Sequence, residues 1–180
     1  MKKLFALFLL TVASVCAQAE KIDLGTHGKL TLYLAENWSF DTSDFGDRRI
    51  VKVTPKSSSV NAHLELTITF PETDRFDTKA RLKMRVEIDA MKFAEQSVEG
   101  KARAQEFSLG SGYGYYCPFT DPDLVGKPPQ PGNFKTISVG IIRLAPDVVV
   151  EVSISADGFA SEPYNQLLGA IEGMEYKAGK

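Results

Sequence analysis

Cysteine is scarce in this chain of 180 residues, where Cys16 and Cys117 are the only two. Cys16 lies in an N-terminal segment that we expect to be removed, so the mature chain would hold one thiol and could form no internal disulfide bond. Cys117 follows Tyr115 and Tyr116 and precedes Phe119, a setting that predicts an inert thiol in the core. A reactive thiol, or one that bonds to a second molecule, is the alternative.

Histidine is equally scarce, and no recognisable catalytic set is present. His27 and His63 have no cysteine, histidine or carboxylate at a spacing typical of metal ligands. The acidic segment Asp41–Asp47 fails as a calcium loop, because Phe45 stands where a ligand oxygen is required and no glutamate closes the loop. A G-x-S-x-G motif is missing as well. We therefore predict no catalytic residue, no metal and no cofactor, and expect a protein that is not an enzyme. A hydrolase acting on envelope material is the alternative, and it would require a cleft containing carboxylates with strongly shifted pKa values.

The chain also lacks a hydrophobic run long enough to span a bilayer. Two lysines precede an apolar run from Leu4 to Val15, which is shorter than the ~20 residues that a membrane helix needs. Ala17–Ala19 supplies the small residues of a signal-peptidase site. We predict a signal peptide over residues 1–19 and a periplasmic or secreted domain over residues 20–180 without a transmembrane segment.

A lipoprotein signal is the alternative, since Cys16 could carry a lipid. A lipid-attachment site needs a small residue before the cysteine and usually a leucine two residues earlier, where this chain has Val15 and Ala13. Lipid on Cys16 would tether the domain to a membrane, whereas cleavage after Ala19 would release it.

Charge and length limit the partners and the domain count. Removal of residues 1–19 leaves 19 basic and 23 acidic residues, which argues against nucleic acid as a partner. The remaining chain shows no repeat and no change of composition, and its length predicts one domain.

Alternating apolar residues predict strands, most clearly at Leu64–Phe70 and also at Leu30–Leu34. Asp41–Asp47 is predicted as a hairpin loop and Ala145–Asp147 as a tight turn. A long helix is predicted to begin after Asp77 or Thr78 and to end near Gly100. Its apolar residues fall on two sides, so we expect burial on more than one face.

The predicted order is four strands, a helix, four strands, a helix capped by Ser161 and a final strand. Hairpin connections without a regular strand–helix–strand alternation indicate an α+β fold, in which two helices cover a mainly antiparallel sheet. Thr67, Thr69, Ser153 and Ser155 alternate with apolar residues and predict a solvent-facing side of that sheet.

This pattern resembles the PsbP/Mog1-like α/β/α superfamily, including its small exported bacterial members. The resemblance rests on Lys29–Leu34 followed by Asn37-Trp38, on the long middle helix, on the late hairpin, and on the ending Tyr164–Leu168 with Met174–Tyr176. The proline usual before the Trp turn is absent. The resemblance implies an α/β/α sandwich, with helices covering at least part of both sheet faces, and an accessory, assembly or binding role without catalysis.

Three glycines at alternate positions, Gly110, Gly112 and Gly114, are the most informative candidates for a site. On one strand they would leave one face bare, with Tyr113 and Tyr115 on the other. Close packing of the long helix is one explanation, and a floor for a ligand or a partner's chain, roofed by the proline-rich loop over residues 120–132, is the other. Trp38 would either plug the sheet edge or mark a contact site. We predict an unidentified envelope protein or small ligand as the partner.

Basic residues cluster at the start of the long helix. Spacings of four predict surface pairs between Lys83 and Glu87 and between Arg85 and Asp89. A patch that meets anionic lipid or polysaccharide is the alternative. The cluster consists of Arg75, Lys79, Arg81, Lys83 and Arg85.

Overall fold

The computed structural model describes residues 17–179. The predicted apolar run Leu4–Val15 and Cys16 therefore lie outside the described residues. Besides two short 3-10 helices, ten strands and two α-helices make up the regular structure of that part of the chain: β1 Ala17–Asp23, β2 Lys29–Ala35, β3 Trp38–Phe45, β4 Arg48–Pro55, β5 Ala62–Thr69, α1 Lys79–Ala94, β6 Gln105–Glu106, β7 Tyr113–Thr120, β8 Thr136–Ala145, β9 Val148–Ala156, α2 Glu162–Glu172 and β10 Glu175–Lys177.

The strands form two antiparallel sheets. The large sheet has seven strands in the order β3-β4-β5-β9-β8-β7-β6, and the small sheet has the order β1-β2-β10. The two helices lie on opposite faces of the large sheet. The α+β prediction of a mainly antiparallel sheet with two helices is thus confirmed at that level.

Strict alternation along the central strands creates the main core. In β5 the side chains of Leu64, Leu66 and Ile68 are fully buried and the residues between them are not. They pack with the leucines of β2 and with Tyr164, Leu167 and Ile171 of α2. One face of the large sheet is therefore closed by α2 and the small sheet together.

The predicted number of strands before α1 was wrong, because five strands precede the helix and only four were predicted. Asp41–Asp47 is also no loop, since β3 continues to Phe45 and only Gly46 and Asp47 form the turn. Asp44 lies directly opposite Arg49, with 2.6 Å between Oδ1 and Nε. This cross-strand pair offsets the low strand propensity of an acidic segment.

The ends of the helices partly follow the predictions. Thr78 caps α1 by accepting a hydrogen bond from the backbone N–H of Arg81, and Ser161 caps α2 in the same way through Tyr164. α1 ends at Ala94, however, and Gly100, with a φ of 62°, follows a later turn at residues 98–99. Neither helix of the described residues has the length and apolar character that crossing a membrane requires.

α1 is buried on one side only, which corrects the predicted burial on several faces. Leu82, Val86, Ala90 and Ala94 face the sheet. Met84, Ile88 and Met91 form the second apolar line and are 53–58% exposed. Periodicity locates both lines but carries no information on which of them the fold covers.

Candidate functional site

The three glycines do not share a strand, so the predicted bare strand was wrong. Gly110 and Gly112 lie in a bend and only Gly114 belongs to β7. Gly112 has a φ of 73°, and a Cβ atom there would overlap the carbonyl oxygen of Arg143. At Gly114 a Cβ atom would lie 2.5 Å from Cγ1 of Ile142. Strand β8 therefore makes the close approach, rather than a ligand or α1.

Tyr113 and Tyr115 hold α1 in place. Tyr115 is buried in the cluster beneath α1. The hydroxyl of Tyr113 donates to the carbonyl oxygen of Phe76, just before the helix, and the guanidinium of Arg143 lies 5.5 Å from the Tyr113 ring centroid. Both tyrosines are engaged within the chain.

Asp74 and Arg143 form a bidentate ion pair at the same place. Nε of Arg143 donates to Oδ1 of Asp74 over 3.0 Å, and Nη2 donates to Oδ2. This pair holds the pKa of the Asp74 carboxyl below its usual range. Together with Tyr113 it fixes the segment between β5 and α1 to the end of the sheet.

Trp38 is buried, which rules it out as an exposed contact site. Its Nε1 donates to Oε1 of Gln166 on α2 over 2.9 Å, so the polar end of the indole is satisfied inside the protein. The side chain fastens the edge strand β3 to α2.

The proline-rich loop cannot roof the glycines. It follows Thr120, whereas Gly112 precedes the other end of β7, and eight residues of strand span ~25 Å. A short 3-10 helix occupies Pro122–Leu124. The side-chain amide of Asn61 holds the loop by donating to the carbonyl oxygens of Gln130 and Asn133. The predicted parts of the site are therefore not brought together.

The structure instead contains a groove between α1 and the uncovered part of the large sheet, which we call the helix–sheet groove. α1 packs over β7 and β8. Beside it the outer face of β9 and β5 stays open, with Thr67 and Ser153 partly exposed and Glu151 exposed. These side chains form the floor and Ile88 and Lys92 form part of the wall, enclosing about 730 Å³.

The solvent-facing side predicted for the sheet is thus only partly covered. Thr67, Thr69 and Ser153 remain partly exposed, while Ser155 is buried. The alternating pattern therefore identified the side of the sheet that faces away from the main core. The expected covering helix is α1, which lies over the neighbouring strands β7 and β8.

Charge is distributed unevenly along the groove. A second hollow of about 430 Å³ continues it, since both are lined by Asp89, Ile141 and Glu151. Arginines line only the second hollow, whereas carboxylates line both: Asp89 and Glu151 are shared, and Glu65 and Glu95 are confined to the first. The arginines are Arg75, Arg81 and Arg85.

Ion pairs account for much of the basic cluster. Arg85 pairs with Asp89 at 2.6 Å, as predicted, and Arg81 pairs with Asp77 at 2.9 Å. The predicted pair of Lys83 with Glu87 is not formed, because Glu87 accepts the backbone N–H of Ala104 at 3.2 Å.

One contact has no signal in the sequence. Nδ1 of His27 lies 2.6 Å from Oδ2 of Asp147, which is 120 residues away, and the His27 ring stacks on Phe70 with centroids 4.4 Å apart. Among residues 17–179, no group of three or more histidine, cysteine or acidic side chains is placed to hold a metal ion.

Cys117 is fully buried beneath α1, as predicted. Burial raises the pKa of its thiol to about 11. At neutral pH the thiol is protonated, and the protonated form is a poor nucleophile.

A scan against protein-family models finds no match, and a search of curated proteins finds none either.

Proposed function

We propose that this chain is an exported binding or accessory protein without catalytic activity, and that the helix–sheet groove is its binding site. It would be a small exported bacterial member of the PsbP/Mog1-like α/β/α superfamily. The occupant would be a segment of an envelope protein or a small ligand.

The groove is the observation that carries the proposal. Its floor presents hydroxyls and carboxylates from strands whose other face is core, so Thr67, Glu151 and Ser153 are rigidly positioned. Its wall adds the exposed side chain of Ile88. A concave surface with apolar area and a few fixed polar groups is typical of binding sites.

The shape of the groove favours an elongated occupant. It follows α1, whose 16 residues span ~24 Å. The arginines at one end and the additional carboxylates Glu65 and Glu95 at the other would favour one direction of a charged occupant.

The N-terminal strand is compatible with export. Cleavage after Ala19 would remove three exposed residues of β1, Ala17–Ala19, and would keep Ile22, the buried side chain of that strand. The remaining residues would still pair with β2 at Leu32–Lys29.

Site-specific photocrosslinking in intact cells tests the groove. A photoreactive amino acid replaces Thr67 on the groove floor or, as the control, Thr31 on β2; both threonines are partly exposed strand residues. We expect an adduct at Thr67 whose intact mass identifies a protein or a small molecule, and no such adduct at Thr31. Equal labelling at both positions, or none at Thr67, would overturn the groove as the site.

A further inference from the structure

The outer side of α1 carries a line of apolar side chains that no part of residues 17–179 covers. Met84, Ile88 and Met91 are 58%, 53% and 55% exposed. Their spacing of four and then three residues keeps them on one side of the helix, opposite the buried Leu82 and Val86. Three large apolar side chains in a row on a charged surface are typical of a contact with another molecule.

An apolar hollow lies directly beside this ridge. It has a volume of about 420 Å³ and lies between α1 and the segment Gly100–Ala102. Its helix side is lined by Met84, Ile88, Met91 and Ala94 together with Glu87 and Glu95, and its other side by Gly100, Lys101 and Ala102. A twofold interface brings the same patch of both copies together, so the apolar ridge of one copy would pack against the ridge and the adjoining hollow of the other.

The charges of α1 indicate that the partner is a second copy of α1 in antiparallel orientation. The N-terminal half contains Lys79, Arg81, Lys83 and Arg85 without an acidic residue, and the last turns contain Glu87, Asp89 and Glu95 beside Lys92. Arg81 and Glu95 are each seven residues from Ile88. An antiparallel copy of α1 crossing at Ile88 would therefore set Arg81 near Glu95 of the second chain.

We propose that this protein forms a homodimer in which α1 packs antiparallel on α1 of a second copy, with the twofold axis at Ile88. The pairs of Lys79 with Glu106, Arg81 with Asp77 and Arg85 with Asp89 do not oppose this, because exposed ion pairs contribute little and can exchange partners. A contact of one helix per chain is at the small end of specific interfaces, so we expect a dissociation constant of about 1–100 μM. Thr67 and Ser153 on the groove floor stay outside the interface, whereas Ile88 of the groove wall would take part in it.

Sedimentation velocity of the mature chain between about 1 and 300 μM tests the dimer. We expect the wild type to convert from monomer to dimer over this range and Ile88→Glu to remain monomeric, since two carboxylates would meet on the axis. Val125→Glu is the matched control, because Val125 is 55% exposed and lies in the loop after β7, outside α1 and the hollow beside it, and it should dimerise as the wild type does. Circular dichroism checks that each variant is folded.

Charge reversal tests the direction of packing. Arg81→Glu should weaken the dimer at least about fivefold, and the double variant Arg81→Glu/Glu95→Arg should restore it. A monomeric wild type at the highest concentration, dimerisation of Ile88→Glu, or failure of the double variant to restore the dimer would each overturn the proposed packing. None of these results depends on whether the groove binds a partner.

Discussion

At the scale of single residues, the side chains that composition marks as candidate contacts are used inside the protein. Trp38 bonds to Gln166, and Tyr113 bonds to the backbone before α1. Gly112 permits a backbone conformation that brings the chain against Arg143. Rare residue types are informative about special environments, but both a core and a binding site provide such environments.

Gly112 provides the clearest test at this scale. Gly112→Ala should lower the free energy of unfolding by about 2 kcal/mol or more, because a side chain is strained at positive φ and would meet the Arg143 carbonyl. Urea unfolding at 25 °C measures the change. The matched variant Gly110→Ala should stay within about 0.5 kcal/mol of the wild type, since nothing lies within 4 Å of a Cβ atom there. Equal effects of the two variants would contradict this placement of the glycines.

At the scale of elements, the sequence predicts the parts whose signals are local. The alternation of β5, the Ser161 cap of α2 and the turn at Pro146-Asp147 depend on neighbouring residues, and all three are present. The covered side of α1 was not predictable, because it depends on where the helix lies on the sheet. The helix–sheet groove exists only through that placement, so no local pattern reveals it.

The ion pair of Asp74 with Arg143 holds the segment that leads into α1. The contribution of this pair to the stability of the protein should depend on pH. Because the pKa of Asp74 is lowered in the folded state, the pair stabilises the protein above the unfolded pKa of about 3.9 and this contribution is lost as pH falls through the folded value. Asp74→Asn should therefore cost about 1 kcal/mol at pH 7 and progressively less below about pH 4.

Urea titrations across this pH range measure the difference between Asp74→Asn and the wild type. Asp47→Asn is the control, because the Asp47 carboxylate is almost fully exposed and lies 3.8 Å from Nε of Arg48. Asp47→Asn should change the free energy of unfolding little at any pH in this range. A constant cost of Asp74→Asn from pH 7 to pH 2 would argue against a role for the charge of Asp74.

At the scale of the whole molecule, the two faces of the large sheet are covered to different extents. One face is closed by α2 and the small sheet, whereas α1 closes only part of the other. The open part of that face and the outer side of α1 adjoin at Ile88, which lines both the groove and the hollow beside the apolar ridge. We assign the first to a partner or ligand and the second to another copy of the chain.

Export is the premise of the binding role proposed for this protein, and the intact mass of the protein in fractionated bacterial cells tests it most directly. We expect the periplasmic fraction to contain a chain that begins at Glu20 and carries no lipid. A membrane-bound chain that begins at a lipid-modified Cys16 would show that the domain is tethered to a membrane and is not released. The full-length chain in the cytosol, still beginning at Met1, would contradict export altogether.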